Sequence, residues 1–124
     1  MSPRDELALN DYLEHIQQAI GRIHRYILDL DNVEFLANEE KQDAVIRNLE
    51  IIGEAAGSIQ RHFPDFATEH PDFPLKAAYG MRNALAHGYF KVDLDMVWKT
   101  IEKDLPMLEA QVIETIQSLS SKGV

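Results

Sequence analysis

The sequence contains no cysteine in its 124 residues. Disulfides, cysteine-ligated zinc and thiol catalysis are therefore excluded. An oxidising compartment is not excluded, but nothing in the chain asks for one. Long apolar runs are missing too: none approaches the 18 or so residues needed to span a bilayer. The opening residues, Met1-Ser2-Pro3-Arg4-Asp5-Glu6, lack the apolar core of a signal peptide. The expected location is the cytoplasm, with no membrane contact. Positive charge is scarce: 12 Lys+Arg stand against 21 Asp+Glu, a formal net charge of -9. Such a chain does not hold nucleic acid by bulk charge, because that binding comes from Lys and Arg neutralising phosphates. It also lacks a basic surface for anionic membranes.

What is present is the composition of a folded domain. The hydrophobic share is 45% and the charged share 27%, which separates the chain from disordered acidic tails. Its length suits one domain, residues 1–124, with one hydrophobic core. No alternating strand pattern, internal repeat or low-complexity stretch occurs. Instead, Leu9, Leu13, Ile16, Ile20, Ile23, Ile27 and Leu30 recur at spacings of 4 and 3, one apolar stripe on a long helix. Ser2 can cap that helix, with Pro3 at its first position. A second stripe, Val45, Leu49, Ile52, Ala56 and Ile59, predicts a helix capped by Asn38 and ending near His62, before Phe63-Pro64.

Residues 63–74 hold three of the five prolines. They read as an ordered loop anchored by Phe63, Phe66 and Phe73. A short helix is predicted from about Leu75 to His87, with Gly88 suited to a left-handed C-cap. Asp93 or Asp95 caps a last long helix, with Val97, Ile101, Leu105, Leu108, Val112, Ile116 and Leu119 facing inward. Pro106 interrupts it, so a kink or break is expected there. The expected fold is all-α: an antiparallel four-helix bundle, five if the helix is divided at Pro106.

The acidic charge is uneven. Phe73 to Val92 is twenty residues without one Asp or Glu, and the run holds Lys76, Arg82, His87 and Lys91. Asn83 and His87 are four apart and share a helix face. Arg82 is roughly 140° round the helix from His87, but its long side chain can still converge with the imidazole near the helix end. Arg, His, an amide and the phenol of Tyr89 at one terminus would suit a phosphodiester. Arginine presents a fixed fork to phosphate oxygens, and histidine moves protons near neutral pH. RNA supplies its own nucleophile in the 2′-hydroxyl, so neither metal nor cofactor is required. The bland reading is that Arg82 pairs with an acidic neighbour helix and His87 merely ends its own.

The run Arg82-Asn83-x-x-x-His87-Gly88-Tyr89 resembles the Arg-x4–6-His signature of HEPN-domain ribonucleases. It is most similar to the HepT toxin family, whose form is Arg-x4-His-x-Tyr. Asp43 to Ala55 (Asp-Ala-Val-Ile-Arg-Asn-Leu-Glu-Ile-Ile-Gly-Glu-Ala) resembles that family's second-helix signature. Val97-Trp98-Lys99-Thr100-Ile101-x-x-Asp104-Leu105-Pro106 resembles its last helix. The resemblance runs from about residue 7 to 116. It implies a HEPN-like all-helical homodimer in which two Arg-x4-His motifs form one composite cleft that cleaves RNA without metal. By carry-over, Arg82 binds the scissile phosphate, His87 acts as general base or acid, and Asn83 orients by hydrogen bonding. The family's partner is an MntA-like nucleotidyltransferase antitoxin that transfers AMP from ATP to the motif tyrosine, here Tyr89. The added AMP would bring bulk and negative charge to the cleft mouth.

Two departures stand out. Many relatives carry a second basic residue between the motif Arg and His, where this chain has Ala84. The tryptophan often found before the short helix is replaced by Phe73-Pro74-Leu75. The missing charge lowers the expected affinity for RNA.

Lys76, Lys91 and Arg47 are further candidates for RNA contact. Arg47, Glu50 and Glu54 lie along one helix and can line a polar seam toward the short helix. The seam can serve the phosphate site, or it can be a salt-bridge network that positions Arg82. His15, His24, His62 and His70 lack the spacing of a helical metal site and read as solvated or capping residues. Trp98 and Tyr26 suit core or interface positions better than base stacking. The leading expectation is an endoribonuclease toxin of a toxin–antitoxin pair. The alternative is a non-catalytic HEPN-like module that binds a nucleotide or partners a nucleotidyltransferase. A third is an acidic helical adaptor in which Arg82 and His87 are structural.

Overall fold

The computed structural model describes residues 1–87 and 92–122. Gly88, Tyr89 and Lys91 therefore lie outside the described residues. Among the described residues every regular element is helical: α1 (Pro3–Ile27), α2 (Asn32–Leu36), α3 (Glu39–His62), α4 (Pro64–Glu69), α5 (Leu75–His87), α6 (Leu94–Lys99), a π-helical turn (Thr100–Asp104) and α7 (Leu105–Lys122). None of them is long and apolar enough to cross a membrane.

Local chemistry starts each of the long helices. Ser2 Oγ accepts from the Asp5 amide at 3.1 Å, and Pro3 opens α1. Its missing N–H would have had no intrahelical partner in any case. Asn38 Oδ1 accepts from the Lys41 amide at 3.0 Å to start α3. Asp93 Oδ1 does the same for α6, from the Met96 amide at 3.1 Å, so of the two expected caps Asp93 is the one used. α1 ends at Ile27, short of Leu30, because Asp29 turns the chain with a φ of 69°. Aspartate tolerates that left-handed conformation better than most residues.

Two short helices occupy stretches read from sequence as connections. α2 is five residues long, too short to show a helical period, and is held by a reciprocal capping box between Asp31 and Glu34. α4 lies within the expected proline-rich loop. Pro64 takes its first helical position, where proline favours a helix rather than breaking one. The three phenylalanines of that stretch are buried as expected, and Phe66 packs edge-on against Phe73 at 5.7 Å.

The break expected near Pro106 takes the form of the π turn. The Leu105 amide donates to Thr100 O, five residues back. Pro106 has no N–H, and in a regular α-helix its ring would crowd the Glu102 carbonyl. The wider turn falls just before it, as a single π turn inside an otherwise α-helical run.

The core is the apolar stripe of α1 (Leu9, Leu13, Ile16, Ile20, Ile23) against Val45, Leu49, Ile52 and Ile59 of α3, closed by Leu105 and Val112 of α7. Phe35 brings α2 onto Trp98 of α6 at 5.1 Å between ring centroids. Among the described residues one polar side chain lies inside: Asn48, 5% exposed. Its Oδ1 accepts from Arg22 Nε at 2.7 Å, and its Nδ2 donates to Ala44 O at 2.8 Å. A buried amide that kept neither partner would cost stability, so this pair ties α1 to α3 in one register.

α5 docks on α3 through glycines. A Cβ at Gly53 would collide with Arg82 Cβ and lie 2.7 Å from Ala78 O, and a Cβ at Gly57 would lie 2.5 Å from Tyr79 Cδ1. Gly53 and Gly57, one turn apart on α3, thus let the two helices approach more closely than any larger residue allows.

Candidate active site

The face of α5 that meets α3 carries Arg82. Its Cβ and Cγ lie over Gly53, and its Nε is buried without a hydrogen-bond partner among the described residues. The far end of the side chain accounts for its partial exposure, 30%. There Nη1 donates to Asn83 Oδ1 at 2.9 Å, and Nη2 lies 3.7 Å from Glu54 Oε1 of α3. The arginine of the motif is thus gripped on two sides, by its neighbour on α5 and by a carboxylate from the facing helix.

His87 is the last residue of α5 and is exposed. It lies about 7.5 Å along the helix axis from Arg82 and roughly 140° around it. Among the described residues His87 makes no hydrogen bond or ion pair with Arg82 or Asn83. One chain therefore joins Arg82 to Asn83 but leaves His87 on the outward face. Lys76, Ala77, Gly80 and Ala84 share that face and are all exposed, and a Cβ at Gly80 would meet nothing within 4 Å. Between Lys76 and His87 this face is open and carries only the small Ala77, Gly80 and Ala84.

The other candidates are scattered. Lys76 is exposed in the first turn of α5, about 9 Å along the axis from Arg82. Arg47 pairs within its own helix, Nη1 to Glu50 Oε2 at 3.8 Å. The expected polar seam on α3 therefore divides: Arg47 and Glu50 hold each other, and Glu54 alone reaches Arg82. Tyr89 and Lys91 fall outside the described residues. His24 pairs with Glu109 at 3.2 Å, and His70 stacks on Phe66 at 4.3 Å. Among the described residues no three His, Asp or Glu side chains come together as metal ligands.

Two features take their meaning only from the packing of α5 on α3. The stretch from 73 to 92 is free of acid in sequence but not in space, since Glu54 enters from α3. Gly53 is the second: it makes room for Arg82, a role that neither its place in the second-helix signature nor its four-residue spacing to Gly57 states. Beside this site, Ala77 and Met81 of α5, Leu49 and Ile52 of α3, and Leu105 and Leu108 of α7 line an apolar groove of about 310 Å³.

Arg82 on a helix–helix seam and His87 at the end of the same helix thus stand on one all-helical frame. The chain belongs to the HepT-like ribonuclease family, whose model, "Ribonuclease HepT-like", matches residues 16–115. A protein of Thermococcus cleftensis named "Probable ribonuclease HepT" is 42% identical over 101 residues, covering 82% of this chain and 89% of its own. A relative from Methanocaldococcus jannaschii, named as a candidate RNase, is 38% identical over 112 residues, or 90% and 97% of the two chains. Another so named, from Caldanaerobacter subterraneus, is 37% identical over 106 residues, or 86% and 92%. No solved structure matches the chain.

Proposed function

We propose that the protein is a metal-independent endoribonuclease that acts as the toxin of a type VII toxin–antitoxin pair in the cytoplasm. The observation that carries this reading is Arg82, held by Asn83 and Glu54, on the same helix that ends in an exposed His87. In the reaction, the RNA 2′-hydroxyl oxygen attacks the adjacent phosphorus and the bond to the 5′ oxygen breaks. The products are a 2′,3′-cyclic phosphate and a 5′-hydroxyl. The 2′ proton must leave and the 5′ oxygen must gain one, and His87 moves one of these protons as general base or acid. Arg82 faces the charge that develops on the phosphate oxygens, and Asn83 orients it.

The functional unit is a homodimer. Arg82 points along the α3 seam while His87 stands on the open face of α5, so a second copy packed there can bring its own motif to complete the cleft. The small residues Ala77, Gly80 and Ala84 leave space for such an approach. An MntA-like nucleotidyltransferase neutralises the toxin by transferring AMP from ATP to the Tyr89 hydroxyl, with release of pyrophosphate. The added phosphate opposes an incoming RNA backbone.

A second reading, a non-catalytic nucleotide-binding or partner module, draws on the same ion pair: an arginine already beside a carboxylate can be structural. Cleavage separates the two. Purified protein should cut RNA in the presence of EDTA and leave cyclic phosphate ends. Loss of cutting on adding EDTA would remove the metal-independent mechanism, and no cutting in any condition would favour the non-catalytic module. An AMP-sized mass increment on Tyr89 after co-expression with the neighbouring nucleotidyltransferase tests the pairing.

A further inference from the structure

We propose that Glu54 is a positioning residue for RNA cleavage, setting which edge of the Arg82 guanidinium meets the phosphate. The inference rests on the ribonuclease reading above and adds a residue of α3 to a site otherwise drawn from α5.

A guanidinium can grip a phosphate with two parallel hydrogen bonds in two ways. It can use the side edge, Nε with one Nη, or the end edge, Nη1 with Nη2. In this chain the side edge is closed. Arg82 Nε is buried and meets no acceptor among the described residues, and the stem of the side chain is pressed over Gly53. Only the two Nη groups remain, and each has two hydrogens. Nη1 gives one to Asn83 Oδ1 at 2.9 Å. Nη2 lies 3.7 Å from Glu54 Oε1, a charge contact rather than a full hydrogen bond. The hydrogens left on Nη1 and Nη2 are the donors available for an end-on fork.

Asn83 alone cannot fix that fork, since a single hydrogen bond leaves the plane free to rotate about it. Glu54 supplies the second point, and it comes from a different helix. The α3–α5 seam thus becomes part of the site: Gly53 sets how deep the arginine lies and Glu54 sets how it is turned. Glu54 is itself 49% exposed, so its pairing adds little to overall stability and can be removed without unfolding the bundle. It does not touch substrate and acts through Arg82.

The test compares wild type, Glu54→Ala and Glu54→Asp on a short model RNA, with kcat and KM measured separately. Glu54→Ala should lower kcat by about 10- to 100-fold, the range expected when a catalytic group is misplaced by roughly an ångström. KM should stay within about threefold, because the arginine and its charge remain. Glu54→Asp, which keeps the charge on a shorter arm, should recover part of the loss. Binding of a 2′-deoxy, uncleavable analogue and the melting temperature should be unchanged. If wild type cleaves and Glu54→Ala matches it, or loses activity only through KM, the positioning role is overturned while the ribonuclease stands. If wild type cleaves nothing, both fall.

Discussion

Arg82 of α5 occupies the space that a side chain at Gly53 of α3 would need: a Cβ built there collides with Arg82 Cβ and stands 2.7 Å from Ala78 O. The residue proposed to bind phosphate is therefore also the residue that sets the spacing of two helices. Gly53→Ala should push α5 off α3 and cost about 1–3 kcal/mol, the usual range for overpacking. Gly57→Ala meets a ring edge of Tyr79 instead of backbone, and that half-buried ring can shift. Urea denaturation should rank Gly53→Ala as the more damaging. If both are neutral, the helices are not in close contact.

His87→Ala should abolish cleavage and growth inhibition together. The side chain is exposed at a helix end, so the melting temperature should barely move, as for most surface changes. A variant that stays toxic would show that His87 is not the group moving the proton.

Among the described residues, buried Asn48 and half-buried Arg22 form a polar tie between α1 and α3, at 2.7 Å. Asn48→Leu leaves the Arg22 Nε without its acceptor and should destabilise the chain by about 1–3 kcal/mol. Arg22→Met in the same background removes the stranded donor and should recover part of that loss. Chemical denaturation of the two single variants and the double variant gives the coupling. Simple additivity would mean the contact does not form in solution.

RNA binding should depend only weakly on salt. The formal net charge is -9, Arg82 is beside Glu54, and Arg47 is paired with Glu50, so few cations are free to meet phosphates. About three contacts on a single strand give a log–log slope near −2. Fluorescence anisotropy with an uncleavable RNA across a salt series measures it. A slope several times steeper would point to a broad basic surface that the charge distribution does not provide.

How much was legible beforehand differs by feature. The apolar stripes of α1 and α3 and the caps Ser2 and Asn38 were plain, because helical periodicity and capping are local properties of a chain. The same holds for the bounds of α5 and for a disturbance near Pro106. α2 and α4 were not, since helices of five and six residues carry too little period to read. The form of the disturbance at Pro106, a π turn rather than a hinge, depends on how the flanking turns pack.

The site divides along the same line. Arg82, Asn83 and His87 stand out by type and spacing, and their positions on one helix follow from 3.6 residues per turn. That spacing cannot say which of them meets another helix. Helix-to-helix approach decided it: Gly53 and Gly57 remove the side chains that would hold α5 away, and α5 then comes down with Arg82 inward and His87 outward. The charge reading changed for the same reason. A run of twenty residues without acid is a property of sequence, whereas the field at Arg82 depends on every charge within a few ångströms. Packing brings Glu54 to 3.7 Å, from a residue twenty-eight positions earlier in the chain.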